Sequence, residues 1–134
     1  MLKRVKTRKL GRSKGARNAL YKSLAKNLFQ NGKLETSPAR AKALRGFVQK
    51  LLRSTENKVT DQNRISSILS IGQKAASEIV TLGQSLSEGQ SAVRIVHLNA
   101  RSGDASPRAR VELLAKTPEK EKSVLPKSTR STKG

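Results

Sequence analysis

The segment Asn31-Gly32-Lys33-Leu34-Glu35-Thr36-Ser37-Pro38 contains a helix stop, a short extended stretch and a helix start in direct succession. Glycine takes the left-handed conformation that closes a helix at no steric cost, which makes Gly32 the stop. Ser37-Pro38 supplies a capping hydroxyl followed by a proline whose fixed φ suits the first helical turn. Upstream, Leu20, Leu24 and Leu28 recur at a spacing of four, flanked by Ala16, Tyr21 and Ala25. This pattern predicts a helix from an N-cap at Ser13 to about Asn31. Downstream, Ala41, Leu44, Val48, Leu51 and Leu52 form the apolar stripe of a second helix reaching about Arg53, with Phe47 at its edge. Lys33–Thr36 is left between the helices as a short extended segment with Leu34 as its inward contact.

Working outward, Thr60 or Asp61 is placed to cap a third helix through Ile65, Ile68, Leu69 and Ile71, ending at Gly72. A fourth runs from about Lys74 through Ile79, Val80 and Leu82 toward Leu86. The period then changes to two: Val93, Ile95 and His97 point one way, and Arg94, Val96 and Leu98 the other. Arg101 to Pro107 supplies a turn, and Arg108 to Leu114 reads as the return strand of a hairpin. The hairpin edge is free to pair with Lys33–Thr36. The expected fold is therefore α+β, with about four helices packed on one side of a small, mainly antiparallel three-stranded sheet.

Composition bounds what such a domain can do. The chain has 134 residues, with 29 Lys plus Arg against 9 Asp plus Glu and a formal net charge of +20. Leu, Ile, Val and Phe make up about 23% of it, just above the roughly 20% below which charged chains stay disordered. There is no Cys and one His, which excludes a structural zinc site, disulfides and Cys-His nucleophilic catalysis. No apolar run approaches the roughly 20 residues of a membrane span. The only aromatic residues are Tyr21, Phe29 and Phe47, too few for a surface that stacks successive bases on several rings.

The charge is concentrated. Residues 1–50 carry 15 basic residues and one acid, residues 51–115 carry 8 and 6, and residues 116–134 carry 6 and 2. Lys3, Arg4, Lys6, Arg8, Lys9, Arg12, Lys14 and Arg17 follow one another with no acid among them. Residues 1–12 are accordingly expected to form a basic arm that orders on a polyanion, residues 13–115 the folded domain, and residues 116–134 a flexible basic tail. In the first helix Lys22 and Lys26 lie opposite the leucine stripe. In the second, Lys42, Lys50 and Arg53 lie on the outer arc while Arg45 flanks the stripe.

Enzymatic chemistry finds no support. His97 has no nearby nucleophile, and Glu56, Asp61, Glu78, Glu88, Asp104 and Glu112 form no paired acid-base or metal motif. Gly11-Arg12-Ser13-Lys14-Gly15 lacks the preceding strand and the Gly-Lys-Ser/Thr ending of a phosphate loop. The helix pair joined at Gly72 has the outline of a helix-turn-helix, yet its second member offers only Lys74 and Gln84 as long reading side chains, beside Glu78. Packing explains that pair better. A flexible cationic arm joined to cationic helix faces suits a nucleic-acid backbone, with affinity falling steeply as salt rises. Charge alone does not separate RNA from DNA: an RNA binder, a nucleoid-type DNA binder and a polybasic membrane-surface protein all remain compatible with it.

The order of motifs is more specific. Lys9-Leu10-Gly11-Arg12, Arg17-Asn18-Ala19-Leu20, Asn31-Gly32-Lys33-Leu34-Glu35-Thr36, Ala39-Arg40-Ala41-Lys42 and Leu44-Arg45 follow one another, then Arg94-Ile95, Arg101-Ser102-Gly103-Asp104-Ala105 and Val111-Glu112-Leu113. This series resembles the bacterial large-subunit ribosomal protein L-seventeen family over about residues 3–115. It departs from the family at Gln90-Ser91-Ala92, where Gly-Gly-Tyr is usual, at Ala16 in place of a histidine, and at Arg108 in place of a methionine. The resemblance implies a cytoplasmic, non-enzymatic structural constituent of the large ribosomal subunit, without cofactor. Its partners would be rRNA and neighbouring ribosomal proteins, the small protein L-thirty-two among them, with no membrane and no small-molecule substrate. Charge and resemblance together nominate Arg4, Lys6, Arg8, Lys9, Arg12, Lys14, Arg17, Lys22, Lys26, Arg40, Lys42, Arg45 and Arg101 as RNA contacts.

Overall fold

The computed structural model of the chain describes residues 8–55, 58–86 and 90–114. The expected arm residues Arg4 and Lys6 and the expected tail 116–134 lie outside the described residues. Four helices and three strands follow the order α1 (Lys14–Asn31), β1 (Lys33–Thr36), α2 (Pro38–Arg53), α3 (Lys58–Leu69), α4 (Gln73–Ser85), β2 (Val93–Leu98), β3 (Arg108–Leu113). β3 is the central strand, antiparallel to both neighbours in the order β1-β3-β2. The α+β architecture expected from the sequence is the one observed.

The segment that decides the fold acts as its residue types require. Gly32 closes α1 at φ 71°, its N–H donating to the Leu28 carbonyl at 2.8 Å. The Leu113 N–H then donates to the Gly32 carbonyl at 2.9 Å, so the helix stop is also where β3 docks. α2 begins at Pro38 with Ser37 as N-cap. Neither Ser37 nor Ser13 uses its hydroxyl on the helix it precedes, so their extended backbones, rather than side-chain capping bonds, mark the two starts.

The core sits between the sheet and the helices, with α2 at its centre. Ala41, Leu44, Val48, Leu51 and Leu52 of α2 are all buried. They meet Ala25 and Leu28 from α1, Ile65 and Leu69 from α3, Ile79 and Val80 from α4, and Val93, Ala109 and Val111 from the sheet. Along β2 the core-facing row fades from buried Val93 through half-buried Ile95 to exposed His97, as the hairpin runs out beyond the helices.

Two boundaries differ from the sequence expectation. Asp61 does not cap α3; the helix starts at Lys58, and Asp61 is buried in its first turn, 3.2 Å from the Arg64 guanidinium. Arg64 also donates to the Ser54 hydroxyl at 2.7 Å, tying α3 to the end of α2. Gly72 does not end α3 either. The helix stops at Leu69, Ser70 takes the left-handed position at φ 51°, and the Ser66 hydroxyl donates to the Ile71 carbonyl at 2.7 Å. Gly72 instead precedes α4 as its N-cap.

The departure at Gln90-Ser91-Ala92 is held by α2. The Gln49 side-chain amide donates to the Gln90 carbonyl and accepts from the Ala92 N–H, both at 3.0 Å. α4 crosses α2 closely at Gly83: a Cβ there would lie 2.3 Å from the buried Thr55 Oγ1 and 3.0 Å from the Leu52 carbonyl oxygen. Gly46, also within a helix, is exposed and its Cβ would meet nothing within 4 Å. The same substitution therefore has opposite signs at the two sites. Gly46→Ala gains about 0.5–1 kcal/mol of helix propensity, whereas Gly83→Ala loses about 1–3 kcal/mol through overpacking. Urea titration of the two variants checks both.

Candidate nucleic-acid interface

The basic arm enters the domain through a tight turn. Leu10 and Gly11 both have positive φ, 54° and 64°, and the Arg12 N–H donates to the Lys9 carbonyl at 3.2 Å. Two consecutive left-handed residues closed in this way give the backbone of a primed turn, which reverses the chain. Glycine accommodates this at position 11, and Arg12 braces the turn by donating from its guanidinium to the Leu10 carbonyl at 3.1 Å. Beyond the reversal, Arg8 lines a trough with Tyr21 of α1 and Lys42 and Lys50 of α2.

The outer face of α2 explains the trough. With 3.6 residues per turn, Ala39, Ala43 and Gly46 fall on the side opposite the buried stripe, and Lys42, Lys50 and Arg53 fall beside them. Small residues keep the helix surface low while long cations stand along it. The trough continues past Gly46 along Gln49, Lys50, Arg53 and Ser54. Among the described residues, no acidic side chain lines either stretch. At the base of the trough the Tyr21 and Phe47 rings pack with centroids 6.0 Å apart and planes inclined at 34°.

The nominated residues divide into groups. Arg8, Lys9, Arg12 and Lys14 are exposed around the turn, and half-buried Arg17 follows one helical turn into α1. Lys42 is exposed on the trough, and Arg40 is half-buried in the first turn of α2. Lys22 is exposed on α1. Lys26 lies elsewhere: half-buried, it donates to the Ser70 carbonyl at 3.3 Å, beside the α3–α4 turn. Arg45 flanks the core stripe and donates to the Ser91 hydroxyl at 3.4 Å, helping dock the start of β2. Arg101 is bound within its own hairpin turn by Asp104, Nε to Oδ1 at 3.0 Å. Lys50 and Arg53 join the trough although only their outward arc, and no family motif, distinguished them in the sequence.

A different arrangement covers the open face of the sheet. The register places Lys33, Glu112 and Arg94 in one row across the three strands, and Glu35 and Arg110 in the next. Arg94 donates to Glu112 at 2.7 Å and Arg110 to Glu35 at 2.9 Å, while Arg108 lies 3.8 Å from Glu35. Here each acid is enclosed by cations, and Glu35 and Glu112 offset two of the four positive charges of Lys33, Arg94, Arg108 and Arg110 within the face. The Arg110 hydrogen bond holds the Glu35 carboxyl below its usual value, and the Arg94 hydrogen bond does the same for Glu112. Arg101 lowers Asp104 similarly, helped by the Ser106 N–H.

A carboxylate with a depressed folded pKa contributes stability above its unfolded value and loses it as pH falls through the folded value. Glu35 and Asp104 are exposed and Glu112 is half-buried at the surface, so each contribution is small and screened by salt. Arg110→Ala is expected to return the Glu35 titration upward toward the ordinary value of 4.5 and to leave Asp104 unmoved, as read by carboxyl NMR.

Comparison with known proteins bears on the family of the chain. A family model described as "Ribosomal protein L17" matches residues 20–114. Among curated relatives, the "Large ribosomal subunit protein bL17" of Sulfurihydrogenibium sp. (strain YO3AOP1) is 37% identical over 117 residues, covering 85% of this chain and 97% of the relative. The protein of the same name from Wolinella succinogenes is 33% identical over 109 residues, covering 80% of this chain and 94% of the relative. A family match over most of the folded domain, with relatives similar across nearly their full length, shows that the chain belongs to the ribosomal protein L17 family, a structural and non-enzymatic one.

Proposed function

We propose that this protein is a structural constituent of the large ribosomal subunit, in the cytoplasm, that binds and braces rRNA through its basic arm, the start of α1 and the outer face of α2. The observation that carries the reading is the acid-free line of cations from Arg8 over Lys42 and Lys50 to Arg53, set against a sheet face whose charges are paired among themselves. Unpaired exposed cations are the ones free to neutralise phosphates and release condensed counterions. Arg8, Lys9, Arg12, Lys14, Arg17, Arg40 and Lys42 contribute charge to this side, with Lys22 next to it on α1, and the reading adds Arg4 and Lys6 of the arm as contacts on the strength of their sequence alone.

Lys26 and Arg45, bonded to residues of other elements, and Arg101, paired with an acid, stand as secondary contacts. The remaining partners are neighbouring ribosomal proteins, for which the family resemblance names L-thirty-two. In sedimentation the protein is expected in large subunits at one copy each, retained through a moderate salt wash. Its absence from purified large subunits, with retention on nucleoid DNA, would overturn the reading.

A further inference from the structure

The trough between α1 and α2 has a shape that backbone neutralisation alone does not require. Its volume is about 460 Å³, within the roughly 300–1,000 Å³ range of sites that enclose small ligands. Tyr21 is only 9% exposed, and its hydroxyl has no partner among the described residues although the ring lines the trough. No buried side-chain oxygen or nitrogen is left unsatisfied among the described residues, so this hydroxyl reaches solvent. Phe47 is half-buried beside it, and the small residues Ala39, Ala43 and Gly46 complete the lining. Arg8, Lys42 and Lys50 stand around the rim with no acid among the lining residues.

From this juxtaposition we propose that the trough is a nucleotide pocket: a single unstacked rRNA base enters against Phe47, meets the Tyr21 hydroxyl with its polar edge, and has its flanking phosphates held by Arg8, Lys42 and Lys50. The inference rests on the rRNA-binding reading and adds to it a recognition mode, a looped or bulged nucleotide rather than duplex backbone. An aromatic base matches the rings, and two phosphates match a cationic rim. One ring face, rather than a platform of several, limits the site to one base. A second apolar cleft among the described residues, between α1 and the α3–α4 turn, has Glu78 in its lining and lacks this charge complementarity.

Two variants of the full chain test the proposal. Gly46→Leu fills the trough from a position whose Cβ has open space, and Phe47→Leu keeps an apolar side chain but removes the π face. Each is assayed against large-subunit rRNA by filter binding and by base-reactivity probing, with thermal melting confirming the fold and Lys74→Ala on α4 as the neutral control. Stacking of one base corresponds to roughly 5- to 150-fold in affinity. Both variants are expected to lose affinity in that range and to restore the reactivity of an unpaired nucleotide that the unmodified protein protects.

Folded variants that bind and protect like the unmodified protein would overturn the pocket. If arm variants still lose affinity in that case, the rRNA-binding reading stands without it. Failure of the unmodified protein to bind rRNA would overturn both. A photoreactive group at position 47 that captures a ribosomal protein within intact subunits, and no nucleotide, would assign the trough to a protein partner and overturn the pocket alone.

Discussion

Replacing Arg12, Lys14, Lys42 and Lys50 together by alanine is expected to lower rRNA affinity by roughly 1,000-fold at moderate salt. The estimate takes about 1 kcal/mol for each exposed ionic contact, the upper end for such pairs. The salt dependence is the sharper reading. Each lost phosphate contact reduces the slope of log affinity against log salt by about 0.7–0.9, so the four together flatten it by about 3. All four side chains are exposed, and none belongs to the core. The variant should therefore melt close to the unmodified protein. An affinity loss with an unchanged slope would mean that these residues act through the fold and not on phosphates.

Leu44→Ala is expected to cost about 2–5 kcal/mol, because it removes a fully buried side chain at the centre of the packing. α2 is the element that contacts α1, α4, β2 and β3, so a void there loosens both layers at once. Against a total stability of about 5–15 kcal/mol for a domain of this size, such a loss is a large fraction. The urea midpoint should fall with little change in the slope of the transition, and Tm should drop by roughly 10 °C or more. Val59→Ala is the contrast: that side chain is 72% exposed, and its loss should stay within about 0.5 kcal/mol.

Elements governed by short-range signals could be read in the sequence. Gly32 and Ser37-Pro38 fixed the ends of α1 and α2, and the five apolar residues of α2 that share a stripe are the five found buried. The change of period at Val93 marked the hairpin, and the Lys33–Thr36 segment pairs with its return strand as expected. What escaped depends on side-chain contacts and burial that residue type alone does not announce. Asp61 has the residue type of a cap, but Arg64 and burial draw it inside the helix. Ser70 takes the left-handed position ahead of Gly72 because Ser66 reaches Ile71 across the turn.

The candidate site shows the same division. That residues 1–50 carry most of the charge was plain from counting, and the outward arc of Lys42, Lys50 and Arg53 followed from helical spacing. Lys26 and Arg45 looked equally available, yet Ser70 and Ser91 engage them across more than 40 residues of chain. The pairing of Glu35 and Glu112 with arginines of neighbouring strands needed the register of the sheet. The trough needed the reversal at Leu10-Gly11, where a leucine gives no sequence warning of a left-handed backbone.

The central claim is that rRNA is gripped on the acid-free side of the domain. The chain contains no cysteine, so single cysteines at chosen positions can carry a short photocrosslinker without background. Lys42→Cys places it on the trough, and Arg94→Cys places it on the ion-paired sheet face. Within intact large subunits, crosslinking from position 42 should capture rRNA in high yield and position 94 should capture much less. Capture of rRNA from position 94 with none from position 42 would contradict the account.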